Sequence, residues 1–262
     1  MRHQRIRVII LKLLLLLTIL GMFSCSGMYV AKRVASADAK LKIADGLFDK
    51  GKYEQAALEY KDFLATFAGD ERCDYAQFRL AECYRMNGDY ALAAIEYRIL
   101  INDYGYSEYV DDAFFLEGLC IFKQAPRAER DQSKSYEALD RVNRFLNIFP
   151  NSPRKEEALR LLEEIKNKLG KKEFLNAMLY FKKNKYKSAL IYFDKVIKHY
   201  AGTIWETKSH YYRGVIKESE GDLDRAIGEY NLVVSSEYDC KEKEKAKLRL
   251  GELKSNSIGG SE

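Results

Sequence analysis

From Ala37 almost to Leu253, apolar residues return every three or four positions, the spacing of helices with one buried face. A longer period lies over this one. Five stretches share a pattern, four of them in full: Gly or another turn residue, an aromatic or Leu two later, Ala three further and an aromatic four beyond. They are Gly51-Lys52-Tyr53 with Ala56 and Tyr60, and Gly88-Asp89-Tyr90 with Ala93 and Tyr97. Asn184-Lys185-Tyr186 precedes Ala189 and Phe193, and Gly221-Asp222-Leu223 precedes Ala226 and Tyr230. In the third stretch Ala138 is followed by Phe145 and Pro150. Each reads as the second helix of a hairpin, with the Gly or Asn ending the first helix in a left-handed turn.

A small residue stands before each of these alanines: Ala44, Ala81, Gly118, Ala177 and Gly214. The interval is twelve residues in four hairpins and twenty in the third. Small side chains at both places let paired helices approach closely, and the aromatics fill the space between hairpins. The third hairpin therefore carries an insert, Gln124–Ser133, containing Pro126 and Arg130-Asp131-Gln132. A connecting helix, Arg154–Leu169, lengthens the step to the fourth, and Cys240–Leu253 reads as a terminal cap. The expected class is all-α. It is a tetratricopeptide-type right-handed superhelix of about five helical hairpins with a C-terminal capping helix. A generic helical bundle is the rival.

The N-terminus is different. Arg2, Arg5 and Arg7 precede a nearly continuous apolar run, Leu13–Phe23, and then Ser24-Cys25. A basic start and a short apolar core read as an export signal, too short for a comfortable spanning helix. A cysteine directly after the core looks like a lipobox acceptor, so Cys25 is expected to be acylated. An ordinary signal peptide or an uncleaved anchor is the alternative. The expected organisation is residues 1–24 as signal, 25–36 as lipidated tether and 37–152 as repeats 1–3, a substrate-binding half. Residues 153–254 carry repeats 4–5 and the cap, a partner-docking half, and 255–262 form a disordered tail.

The net charge of +5 overstates the basicity of the body. Without the first 24 residues, 40 basic side chains face 39 acidic ones, which lacks the basic footprint of a nucleic-acid binder. Hydrophobic residues at 47% and three prolines argue against disorder. Cys73, Cys83, Cys120 and Cys240 show no disulfide framework and read as packed thiols. His199 and His210 have no metal-ligand spacing, no glycine loop cradles a phosphate, and no nucleophile–base set is arguable. No cofactor site and no enzyme are expected.

A solenoid's first helices line its concave face. Counting around them places Leu41, Asp45 and Phe48 there, then Tyr75, Phe78, Glu82 and Arg85, then Asp112, Phe115, Leu119 and Phe122. Such aromatics suit an extended peptide with apolar side chains. The alternative is that they pack between neighbouring helices. From Lys155 to Tyr200, twelve basic residues face six acidic ones. The dense part is Lys166, Lys168, Lys171, Lys172, Lys182, Lys183, Lys185 and Lys187, fit for an acidic partner or anionic headgroups. A solvated face is the bland reading.

Together these residues resemble the outer-membrane assembly lipoproteins of the BamD family: five tetratricopeptide hairpins behind a lipidated cysteine. The most specific part is Arg130-Asp131-Gln132 followed by Ala138, Phe145 and Phe149-Pro150-Asn151-Ser152, which looks like the family's RDQ loop and YPNS-type ending. Phe67-Ala68, Tyr104-Gly105 and Tyr200-Ala201 depart from the usual Tyr-Pro. The resemblance implies a lipid-anchored, periplasm-facing subunit of the machine that folds and inserts β-barrel proteins in the bacterial outer membrane. Its first repeats would receive unfolded barrel proteins. Its last repeats would dock on a POTRA domain of the barrel subunit BamA, for which Lys182, Lys183 and Lys185 are the candidates. Other assembly-complex lipoproteins are possible partners. Another periplasmic tetratricopeptide lipoprotein, serving cell-envelope division or pilus assembly, is the alternative, and a catalytic lipoprotein lacks site chemistry.

Overall fold

A computed structural model describes the backbone of residues 36–259 and side chains as far as Ser255. Cys25, the signal segment and residues 25–35 of the tether lie outside the described residues. The described helices are α1 (Ala37–Asp49), α2 (Tyr53–Thr66), α3 (Cys73–Asn87), α4 (Tyr90–Asp103), α5 (Val110–Lys123) and α6 (Ser133–Ile148). They continue as α7 (Lys155–Phe181), α8 (Tyr186–His199), α9 (Ile204–Ser219), α10 (Leu223–Ser235) and α11 (Lys241–Gly259). None of the described helices is long and apolar enough to cross a membrane.

Leu41 onward forms one compact unit. In it, from α3 on, each first helix packs on its own second helix and on the second helix before it, while α5, α7, α9 and α11 also meet in sequence. The described part of the chain is therefore an all-helical, tetratricopeptide-type array of hairpins. Ala44, Ala81, Ala177 and the paired Ala56, Ala93, Ala138, Ala189 and Ala226 are fully buried, as their recurrence demands. Between them lie Tyr60, Tyr97, Phe145, Phe193 and Tyr230, each at most 1% exposed.

Four of the five hairpin turns are one structure. Gly51, Gly88, Asn184 and Gly221 have φ of 71°, 86°, 57° and 78°, the left-handed region expected at those positions. The next residue's N–H closes back on the carbonyl five before it: Lys52 on Leu47, Asp89 on Tyr84, Lys185 on Tyr180 and Asp222 on Lys217, at 2.9–3.0 Å. Orphan carbonyls at the helix end are thereby satisfied. Asn184 is the one non-glycine residue with positive φ among those described, and asparagine tolerates that region best.

Two helices differ in extent from the sequence reading. The connecting helix and the first helix of hairpin 4 are one uninterrupted helix, α7, of 27 residues. No proline or left-handed residue stands within Lys155–Phe181 to divide it, and Gly170 is buried against Tyr200 and Trp205, with a Cβ there only 3.2–3.3 Å from them. At the end, α11 continues to Gly259, beyond the cap's expected limit at Leu253. Residues 260–262 lie outside the described residues.

Cys73, Cys83 and Cys120 are buried free thiols, and Cys240 is partly exposed. Burial pushes the Cys83 and Cys120 thiols up to about 12, so both are inert at neutral pH.

Candidate protein-binding faces

The first-helix face begins with a carboxylate shared between hairpins. Asp45 of α1 accepts from the Tyr60 hydroxyl of α2 and, at 2.8 Å, from the Tyr75 hydroxyl of α3. Arg79 donates to the Tyr60 oxygen at 3.3 Å and lays its guanidinium 3.6 Å from the Phe48 ring centre. Burial, then the bond to Asp45, pushes Tyr75 up to about 12. One turn of the array later, Tyr97 of α4 donates to Glu82 of α3, and Arg85 reaches the same carboxylate with two bonds of 2.7 Å. Burial raises Glu82, but the bonds from Arg85 and Tyr97 outweigh it and hold the carboxyl below its ordinary range.

These pairs follow a rule along the chain. An acid follows the small residue where the facing aromatic is tyrosine: Asp45 with Tyr60, Glu82 with Tyr97. Where the aromatic is Phe193, which has no hydroxyl, the same place holds Met178, and in hairpin 3, where Val142 takes the tyrosine's position, it holds Leu119. Hairpin 5 departs, with Val215 in that place and Tyr230 donating instead to Glu218 at 2.9 Å.

The expected groove is largely engaged by the array's own side chains. Leu41 and Phe115 are 6% and 3% exposed, so they belong to the core and line no open surface. Phe78 stacks on Tyr109 with centroids 4.9 Å apart, and the Arg154 guanidinium stands 5.5 Å from Phe115 while pairing with Asp112. Leu119 and Phe122 are partly buried against the main core, and the Lys168 ammonium lies 5.0 Å from the Phe122 ring centre. Phe48, Tyr75, Phe78, Glu82 and Arg85 remain half-buried.

The insert before α6 is a folded bracket. Gln132 is 4% exposed; its Nε2 donates to Arg127 O at 2.7 Å and Arg130 O at 3.2 Å, and its Oε1 accepts from Ser135 at 2.8 Å. Asp131 accepts from the Ser133 N–H at 3.0 Å and from its hydroxyl, closing an Asx turn just ahead of α6. Hydrogen bonds from the Ser133 hydroxyl and N–H hold the Asp131 carboxyl below its ordinary range. Arg130 is exposed.

This bracket takes up part of the basic stretch. Lys168 donates to Ala125 O at 2.8 Å, Lys172 donates to Glu129 O at 2.9 Å, and Lys171 pairs with the Glu129 carboxylate at 3.5 Å. These three lysines of α7 therefore bind the chain's own loop, where the sequence reading left them open to a partner, anionic lipid or solvent. Lys182, Lys183 and Lys185 are exposed around the Asn184 turn, and none is in an ion pair among the described residues.

Sequence reasoning missed the buried and half-buried charges that meet between helices. Glu117 of α5 has no exposed surface; its Oε1 meets Arg98 Nε of α4 at 2.8 Å and Arg141 of α6 at 3.1 Å, while Oε2 has no partner. Burial outweighs both guanidiniums and leaves this carboxyl above its ordinary range. Glu173, 4% exposed, pairs with Lys195. His210 and Arg213 of α9 share Glu229 of α10 at 2.7 and 2.8 Å. The only available signal was a charge on an otherwise apolar helix face.

Residues 34–221 match the family YfiO, described as outer membrane lipoprotein. No curated protein matches the chain. Among solved structures, the chain is similar to a tetratricopeptide repeat protein from Parabacteroides merdae, with 18% identity, 86% of each chain covered and a TM-score of 0.40. It is also similar to the tetratricopeptide protein TTC0263 of Thermus thermophilus, with 14% identity, 83% and 98% covered and a TM-score of 0.36. For the tetratricopeptide domain of P58(IPK) the figures are 13% identity, 84% and 66% covered and a TM-score of 0.43.

Proposed function

The chain belongs to the YfiO family of outer membrane lipoproteins, a BamD-like family, and from that premise we propose that it is a non-catalytic scaffold of the outer membrane β-barrel assembly complex. Cys25 carries the lipid anchor, and the hairpins face the periplasm. Repeats 1–3 receive unfolded barrel proteins. Repeats 4 and 5 dock on the POTRA region of a BamA-like barrel subunit, with Lys182, Lys183 and Lys185 toward the partner.

The observation that carries this reading is the family match over residues 34–221, on an array whose ordered polar groups serve structure. The half-buried face of Phe48, Tyr75, Phe78 and Arg85 offers a peptide aromatic and cationic surface in one strip. The three lysines around Asn184 are exposed cations on a rigid turn, which suits an acidic partner surface.

The test is a mild-detergent pull-down of the full-length protein from its own membranes, read by mass spectrometry. A POTRA-bearing barrel protein recovered at comparable abundance is the expected result. Recovery of peptidoglycan-associated or pilus proteins alone would move the function to envelope division or pilus assembly.

A further inference from the structure

Four first-helix rings hold the same place in their hairpins, three residues before the small one: Phe78, Phe115, Phe174 and Tyr211. Each lies against the aromatic of its own second helix, with centroids 6.0 Å from Tyr97, 5.8 Å from Phe145, 5.9 Å from Phe193 and 5.8 Å from Tyr230. Three of the four also meet a planar group supplied where the next first helix begins. Tyr109 stacks on Phe78 at 4.9 Å, the Arg154 guanidinium is 5.5 Å from Phe115, and Trp205 is 5.3 Å from Phe174. The repeat thus specifies a planar cover for this ring.

Tyr211 has no such cover among the described residues. Beyond Tyr230 it meets the edge of Tyr212, its neighbour in α9, and the Lys245 ammonium at 6.0 Å. Beside it, between α9 and α11, opens a cleft of about 560 Å³ lined by Tyr211, Val215, Tyr230, Lys245, Leu248 and Arg249 among others. Leu248 on the α11 wall is 71% exposed, the most exposed leucine among the described residues. Glu218 and Glu252, the carboxylates of the cleft, are both held by Arg249. Lys245 is in no ion pair with a carboxylate among the described residues, because both carboxylates of the cleft are turned to Arg249, so an ammonium without a direct acidic partner stands beside an uncovered ring.

We propose that this cleft receives an aromatic side chain of a partner protein, seated on Tyr211 as Tyr109 and Trp205 are seated on Phe78 and Phe174. A guanidinium covers Phe115, but Lys245 already places a cation beside Tyr211 and disfavours a second. An Asp or Glu next to the aromatic meets Lys245 instead. The occupant is therefore a partner segment in which an aromatic residue adjoins an acid. This rests on the reading of the chain as a protein-binding scaffold and is independent of the lysines around Asn184.

The experiment titrates the full chain, in detergent, into fluorescein-labelled twelve-residue peptides centred on Asp-Phe and follows anisotropy. Saturable binding is expected, weakened at least tenfold when the peptide's Phe becomes Ala and at least threefold when its Asp becomes Lys. Leu248→Asp, at a solvent-exposed site that leaves the helix intact, weakens it at least tenfold, and Lys245→Glu reverses the preference for the acid. The triple change K182E, K183E, K185E leaves peptide binding unaltered, which separates this cleft from the docking proposed above. Binding indifferent to the peptide's Phe or to Leu248→Asp overturns the proposal, as does failure of every peptide to bind at millimolar concentration. A concentration-dependent dimer dissolved by Leu248→Asp would assign the cleft to a second copy, and also overturns it. Peptide binding retained while no barrel protein co-purifies would sink the assembly-complex reading and leave the cleft standing.

Discussion

Gly214 and Tyr230 are in such close contact that a Cβ on position 214 would stand 2.6 Å from Tyr230 Cε1. Real side chains do not approach that closely, and Tyr230 is fixed by its bond to Glu218 and by full burial. Gly214→Ala should therefore destabilise the protein by about 1–3 kcal/mol despite alanine's better helix propensity. At Gly118 the nearest atom to a Cβ is Val142 Cγ2 at 3.2 Å, and the flexible Arg141 is next. Gly118→Ala should cost less. Thermal denaturation of the two variants side by side checks the order; equal effects would mean that Tyr230 yields freely.

The tyrosine–acid rule can be transplanted. Tyr97→Phe leaves Glu82 with only Arg85 and should cost about 0.5–1.5 kcal/mol. Phe193→Tyr should cost a similar amount, because Met178 offers no carboxylate to the new hydroxyl. Adding Met178→Glu to Phe193→Tyr should recover part of that loss. A double-mutant cycle measured by urea unfolding gives the coupling, and an absent coupling would reduce the rule to coincidence.

Glu117 has a pH consequence whose sign is definite. Its carboxyl is raised in the fold, so the folded protein holds that proton at pH values where the unfolded chain has lost it. The resulting contribution is unfavourable above the folded pKa and disappears as pH falls below the unfolded value near 4.3. Relative to Glu117→Gln, the parent protein should gain stability as pH falls from 7.5 toward 5. Melting temperatures of both proteins across that window check this, and a parallel pair of curves would refute it.

The bracket of residues 124–132 depends on two lysines of α7. Replacing Lys168 and Lys172 by Ala removes their bonds to Ala125 O and Glu129 O. Amide hydrogen exchange in the bracket should accelerate, while the global melting temperature moves by little, since both lysines are largely outside the core. Unchanged exchange would leave Gln132 and Asp131 as sufficient supports.

Reversal of charge at Lys182, Lys183 and Lys185 should lower recovery of the barrel partner in the pull-down and leave the melting temperature unchanged, because the three are exposed and in no ion pair among the described residues. Undiminished recovery would direct attention away from the Asn184 turn.

Most helices, the hairpin pairing and four of the five turns were legible in the sequence, since each rests on local chemistry, while the fusion of two expected helices into α7 was not. Glycine or asparagine at a left-handed position, alanine or glycine where backbones meet, and an aromatic at a fixed interval leave little freedom to the backbone. The insert at 124–132 was legible for the same reason, as a break in an otherwise constant interval. Which surfaces remain free was not. Phe115 and Phe78 have the periodicity of an exposed face, and only the arrival of Arg154 and Tyr109 from the following hairpin covers them. Lys168, Lys171 and Lys172 read as a solvent-facing patch until the insert folds back onto α7. The uncovered Tyr211 follows from the same cause in reverse. Local sequence determined where each helix begins and which residues face its partner, because those interactions span a few residues. Contacts between successive hairpins decided what was left exposed, because they join residues 30 to 43 positions apart whose meeting depends on how each hairpin is set on the next.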